Sequence, residues 1–144
     1  ERTTGIIFAV ENMFPWRGPK GSEVRAYSPG WDPTDRDYEH LTLDLSHAST
    51  SHQRSLDLLQ AWGDRLAHVH LTDGDGSIKD EHLIPGRGDQ DAALVLQRLA
   101  ERGFGGHIVL EVNTRSIGSR QLREETLAGV LAWTRAHLGQ TVDA

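Results

Sequence analysis

Four short apolar runs, each carrying a titratable side chain at its C-terminal end, set the strongest limit on what this chain can fold into. They are residues 6–11 (IIFAVE), 41–45 (LTLDL), 66–71 (LAHVHL) and 107–112 (HIVLEV). Each has the length and composition of a buried strand, and helix-like sequence separates the later ones. Strands that alternate with helices pair in parallel through right-handed crossovers. In such α/β folds, side chains at the C-terminal strand ends converge on one rim, and sites are built there. The residues at those ends are Glu11, Asp44, His70 and Glu111. Their spacings of 33 (11 to 44), 26 (44 to 70) and 41 (70 to 111) each match about one strand–helix unit.

The segments between the runs carry their own signals. Residues 12–39 are rich in Gly, Pro and charge and show no helical period, so they read as a long loop anchored by Phe14, Trp16 and Trp31. Thr50 and Gln53 have the spacing of a capping box, opening a helix with Leu56, Leu59 and Trp62 on one face and Gly63 at its end. Asp91 caps a second helix, with Leu96 and Leu99 inward and Gly103 closing it. Ser119 caps the last, where Leu127, Val130, Leu131, Thr134 and Leu138 follow helical spacing.

Composition removes several classes of function. A chain of 144 residues has room for one modest domain, and 37% hydrophobic with 25% charged residues excludes a disordered chain. No apolar run approaches the roughly 20 residues of a membrane span. With no cysteine and no secretory leader pattern there is neither a disulfide framework nor a thiolate metal site, so the expectation is a cytoplasmic protein. The net charge of −6 argues against a sequence-independent grip on nucleic acid, although a local basic groove can sit on an acidic protein.

Three acids and an imidazole at one rim repel one another unless a cation joins them. Mixed nitrogen and oxygen donors suit Mn, Mg, Co or Zn. Strand parity places Ala9, Thr42, His68 and Val109 behind the four. Asp44-x-x-His47 and Asp80-x-His82 lie nearby, the latter leading into the turn Gly86-Arg87-Gly88. Taken alone, a strand-end carboxylate is as readily a helix cap, and a strand histidine a hydrogen-bonded core residue. Four at corresponding positions make the signal. His68 reads as inner-layer packing or support for a ligand. His40, His52 and His137 read as surface residues, His107 begins its strand at the wrong end, and the glycine pair alone marks only a turn.

With these residues in place, the chain resembles the xylose-isomerase-like TIM-barrel superfamily. That group includes sugar and sugar-phosphate isomerases and epimerases, and the endonuclease IV type of abasic-site nuclease (AP endonuclease family 2). The resemblance rests on VEN (10–12), LDLSH (43–47), HVHLTD (68–73), DEHLIPGRG (80–88) and VLEVN (109–113). It spans nearly the whole chain as the last four βα units of a (β/α)8 barrel, and so implies a single-domain half barrel over residues 1–144.

The resemblance further implies one divalent metal on Glu11, Asp44, His70 and Glu111. Glu11 and Glu111 would double as the acid/base pair, acting on a sugar or sugar phosphate through an enediolate. It assigns His47 to a substrate oxygen, and Arg87 is read as binding a substrate oxygen or phosphate. In the nuclease type three zinc ions are bound and the matching positions add His47, Asp80 and His82, so an abasic-site phosphodiesterase is the alternative. A ligand-binding remnant without catalysis is the third. Residues 12–39 depart from the family pattern, being Gly/Pro-rich where members have a helix. A whole barrel takes about 250 residues. The chain opens on Glu1 with four strands, so the expectation is that the N-terminal half barrel belongs to the native protein outside this chain, a second chain completing the barrel being the other possibility.

Overall fold

Alternation within the strands decides the architecture. The computed structural model describes residues 4–27 and 30–139. Its elements in chain order are β1 (Val10–Glu11), β2 (Trp16–Arg17), β3 (Glu23–Val24), β4 (Leu41–Asp44), α1 (Leu45–Thr50), α2 (Ser55–Trp62), β5 (Leu66–Leu71), α3 (Ala92–Glu101), β6 (His107–Leu110) and α4 (Arg120–His137). Strands β1, β4, β5 and β6 lie in that order in one parallel sheet, the α/β partial barrel expected. Glu11 sits opposite Thr42, Asp44 opposite His70, and His70 opposite Val109. The stagger between β1 and β4 is thus two residues, which keeps all of these side chains on one face.

The other face makes the core. Leu41, Leu43, Val69 and Leu71 are sealed beneath Leu59 and Trp62 of α2 and Val95, Leu96 and Leu99 of α3, all with at most 1% exposure. No helix among the described residues is long and apolar enough to cross a membrane.

Several local expectations need correction. Thr50 does not open a helix: it ends α1, and its hydroxyl donates to the Lys79 carbonyl at 3.1 Å. α2 starts after Arg54 with no side-chain cap. Asp44 instead caps a separate short helix, α1, directly after the strand, so Leu45 is helical. The first strand is two residues long, with β4 its only partner among the described residues, and Ile6, Ile7 and Phe8 are 55–65% exposed. The loop of residues 12–39 contains the antiparallel hairpin β2–β3. Asp91 occupies the cap position of α3 in a left-handed conformation with no side-chain cap bond. β6 ends at Leu110, two residues early, although the Glu111 N–H still bonds the Leu71 carbonyl. On α4 Leu131 faces out, and Trp133 packs on the core instead.

Candidate metal centre

Asp44 closes β4 and caps α1, its Oδ1 accepting from the His47 N–H at 2.8 Å. That bond fixes the carboxylate and places His47 beside it. Asn12, fully buried after β1, clamps the same peptide from the neighbouring strand. Its Nδ2 donates to the Asp44 carbonyl at 3.0 Å, and its Oδ1 accepts from the Asp44 N–H at 2.8 Å.

His70, on β5, faces three carboxylates. Its Nδ1 lies 3.0 Å from Glu11 Oε1, 3.1 Å from Glu111 Oε2 and 3.3 Å from Asp44 Oδ2. One ring nitrogen carries one hydrogen and serves one acceptor well. Asp44 Oδ2 is buried outside hydrogen-bonding geometry, with only the shared 3.3 Å contact to His70 Nδ1, a place where a cation would be favoured. The donors fit a divalent ion: ligand atoms of Glu11, Asp44 and His70 lie within 4.8 Å of one another. Carboxylate oxygens with one imidazole nitrogen form a set that Mn, Mg, Co or Zn accepts. Glu111 is the most open of the four, its side chain 47% exposed against 27% for Glu11.

A second cluster adjoins the first. Ligand atoms of Asp44, His47 and His82 also lie within 4.8 Å of one another. Asp80 Oδ2 joins the two rings, 2.9 Å from His82 Nε2 and 3.4 Å from His47 Nε2. His47 Nδ1 is 3.2 Å from Glu11 Oε1 and 2.9 Å from the Asn12 carbonyl, so this ring links the two groups.

The electrostatics show what holds these acids together when no metal does. Hydrogen bonds to Asp44 and Glu11 raise the His70 pKa to about 10 against the opposing effect of burial. Burial works to lower His47, yet bonds to Asp80 and Glu11 overcome it and raise the ring to about 11. Asp80 raises His82 to about 9. Burial disfavours the charged form of Glu11, but bonds from His47 and His70 prevail and hold it at about 2. Asp80 is likewise held well below its ordinary value, burial being outweighed by His47, His82 and Ser46. Three imidazolium charges thus stand in for a cation.

The second cluster is carried by the loop of residues 72–90, and α1 anchors that loop through hydroxyls. Ser46 Oγ donates to Asp80 Oδ1 at 2.7 Å and accepts from the His82 N–H at 3.1 Å. Ser49 Oγ donates to Asp89 Oδ1 at 2.8 Å. Asp73, fully buried, accepts from the N–H groups of Gly74, Gly86 and Gln90. Gly88 packs on Asp73 so closely that a Cβ there would lie 2.0 Å from the Gly74 carbonyl oxygen, so this glycine serves close packing as well as the turn. Asn12, Ser46 and Asp73 escaped the sequence reading. VEN, LDLSH and HLTD contain them, but nothing in those strings tells a clamp from a ligand. His68 stacks edge-on to His70 at 5.2 Å, an inner-layer neighbour of the centre. Arg87 touches neither cluster directly and lines a cleft with Asp80 and His82.

Residues 1–137 match the family described as xylose isomerase-like TIM barrel. An uncharacterized protein of Mycobacterium tuberculosis is 44% identical over 96% of this chain and 56% of its own length. The fructoselysine 3-epimerase of Escherichia coli O157:H7 is 33% identical over 42% of this chain and 22% of its own. The crystal structure of a D-tagatose 3-epimerase-like protein superposes with a TM-score of 0.61 at 26% identity, covering 94% of this chain and 50% of that one. The chain spans about half the length of the curated relatives it matches most fully.

Proposed function

The chain belongs to the xylose isomerase-like TIM-barrel family, and from that premise we propose that it carries the catalytic rim of a divalent-metal-dependent isomerase or epimerase of sugars or sugar phosphates, acting through an enediolate. The observation that carries this reading is the convergence of three carboxylates on the single nitrogen His70 Nδ1, with Asp44 Oδ2 buried and held by nothing better than that shared 3.3 Å contact. Glu11, Asp44, His70 and Glu111 would hold the ion, which when bound would supply a Lewis acid for a sugar carbonyl and its neighbouring hydroxyl. Glu111 opens onto a cleft of about 430 Å³ that it lines with Asp80, His82 and Asn113. From there it removes a proton from the carbon beside the carbonyl. Glu11, kept ionised by His47 and His70, is the second acid/base group. A proton returned to the same carbon on its opposite face inverts that centre; one returned to the neighbouring carbon moves the carbonyl. His47, with Phe14 4.8 Å from its ring, orients a substrate oxygen.

The barrel is completed in this reading by a further half barrel from the native protein. β1 and β6 are sheet edges, and Val109 on the inner face is 44% exposed. A second copy of the chain is the other arrangement. Gel filtration with intact-mass analysis separates them, and a stable 16.0 kDa monomer with a cooperative melt refutes both.

The test of function is elemental analysis of the native protein and of His70→Ala, joined to deuterium uptake at the carbon beside the carbonyl of ketoses. About one divalent ion per chain, lost in the variant, together with uptake, supports the reading. A metal-free native protein without uptake overturns it. The Asp44–His47–His82 cluster favours one second reading, the three-zinc abasic-site nuclease. Two or three zinc ions with cleavage of abasic DNA, and no uptake by ketoses, would replace the first reading with that one. The acidic net charge of −6 weighs on the side of a sugar.

A further inference from the structure

His47 is held at one nitrogen and on its ring. Its Nδ1 has two acceptors, the Asn12 carbonyl at 2.9 Å and Glu11 Oε1 at 3.2 Å, so that nitrogen carries a hydrogen. Nε2 is the atom left for other work, with Asp80 Oδ2 3.4 Å away. A hydrogen bond pins one atom and leaves the plane of the ring free to tilt, because the outer torsion of histidine has no sharp staggered wells. Packing on the ring has to supply that constraint. His82 meets His47 edge-on at 6.0 Å, and Phe14 lies at 4.8 Å with the two planes 47° apart.

Phe14 stands at the base of an aromatic arm. Tyr27 lies 6.0 Å from Phe14, and Trp16 is edge-on to Tyr27 at 5.9 Å, its Nε1 donating to the Tyr27 hydroxyl at 3.0 Å. The arm is tied just past the end of α1, the helix whose third residue is His47. Ser51 Oγ donates to the Met13 carbonyl at 3.1 Å, and the Arg17 guanidinium, paired with Glu23, lies 3.3 Å from His52 Nε2. The backbone of His47 and the ring packed on its imidazole are thereby fixed to the same frame.

We propose that Phe14 is a positioning residue for the reaction inferred above. Backed by Tyr27 and Trp16, it sets the plane of the His47 ring so that Nε2 meets the substrate oxygen at a constant angle. The inference rests on the isomerase/epimerase reading and deepens it, because Phe14 acts through His47 rather than on the sugar.

The experiment is a double-substitution cycle in the native protein. It is read as kcat/KM for deuterium uptake by fructose, tagatose and fructose 6-phosphate, with thermal melts and metal per chain measured for every variant. Residues that act through one another give non-additive losses. Phe14→Ala should lower uptake by up to about tenfold and Trp16→Ala by about twofold, the span of an aromatic pair, with metal per chain unchanged. Neither should lower uptake further when combined with His47→Ala. Phe14→Leu, which keeps apolar bulk against the ring, should recover most of the loss. Trp16 is 55% exposed, so Trp16→Ala carries the cycle if Phe14→Ala melts early.

A second readout needs no sugar. In metal-free protein carrying ¹⁵N-labelled histidine, the Nδ1–H signal of His47 is identified by its absence from His47→Ala. It should be protected from exchange with water, lose that protection in Phe14→Ala and keep it in Phe14→Leu. A Phe14→Ala loss that persists undiminished beside His47→Ala would put Phe14 on the substrate itself and overturn the inference. Native uptake in Phe14→Ala, or a native His47 signal there, overturns it as well. Uptake by none of the three sugars overturns the isomerase/epimerase reading, and the Nδ1–H signal then decides by itself whether Phe14 sets the ring.

Discussion

The two faces of the central sheet are written into the same strands, one residue apart, and they differ in almost every physical respect. Toward the helices, Leu41, Leu43, Val69 and Leu71 are sealed from water within the apolar core. Toward the barrel interior, Asp44, His70 and Glu111 crowd their charges together on a face no helix covers, with His68 beside them. A period of two lets one strand meet both demands, so cohesion and chemistry are separated by a single step along the chain. The faces should therefore respond to substitution in opposite ways.

The largest effect belongs to the inner face. If the proposed reading holds, Glu111→Gln lowers turnover of a ketose by about 10²–10⁴-fold, the usual contribution of a positioned acid/base group, while shifting the melting temperature little, because Glu111 is half exposed. A Glu111→Gln protein with native turnover would break the comparison at its centre. Next comes the outer face. Leu71→Ala should cost about 2–5 kcal/mol of stability, as for other buried leucines, measured by denaturant unfolding, with metal per chain unchanged below the melt. If Leu71→Ala lost its metal while remaining folded, the two faces would be coupled rather than separate.

How much of this could be read from the chain follows the same division. β5 is legible residue for residue in LAHVHL, and α3 in Leu96 and Leu99, inward between Asp91 and Gly103. The four converging residues were legible because each ends a strand run, a position fixed by the fold rather than by neighbours in sequence. The opening of α1 was not legible. Asp44 and Leu45 read as the end of a strand over 41–45, and a six-residue helix is too short to show a period. The contacts of Asn12 and Ser46 were hidden for another reason. They bond across 32 and 34 residues, and a hydroxyl or amide has no pattern that says which distant group it will meet.

Ser46 gives a finer test of the inner face, because it separates the two clusters. Ser46→Ala removes the hydroxyl that positions both Asp80 and the His82 N–H. Loss of such an outer partner commonly costs 10–100-fold in metal affinity. In a titration with excess Co²⁺, followed by its visible absorption, any ion taken up by the second cluster should show that loss while the one held by the strand-end residues binds as before. Equal weakening of both would mean that the clusters act as one site.

The smallest effect is a change of slope with pH, and it reads the charge balance directly. In the metal-free protein His47, His70 and His82 have pKa values raised to about 11, 10 and 9, against an ordinary value near 6.5. A raised folded-state pKa adds stability that is complete below the unfolded value and fades as pH climbs through the folded one. Glu11, lowered to about 2, adds stability present above its ordinary 4.5 and lost as pH falls through 2. For these groups the metal-free protein is therefore most stable between about pH 4.5 and 6.5, and its melting temperature should drift down from pH 6.5 to 9. A metal reverses the sign on the alkaline side, because its ligands must shed their protons to bind and its affinity rises with pH. Melting curves at saturating Mn²⁺ or Zn²⁺ should consequently diverge upward from the metal-free curves over that interval. Parallel curves would mean that the imidazolium charges and the cation do not exchange places at this rim.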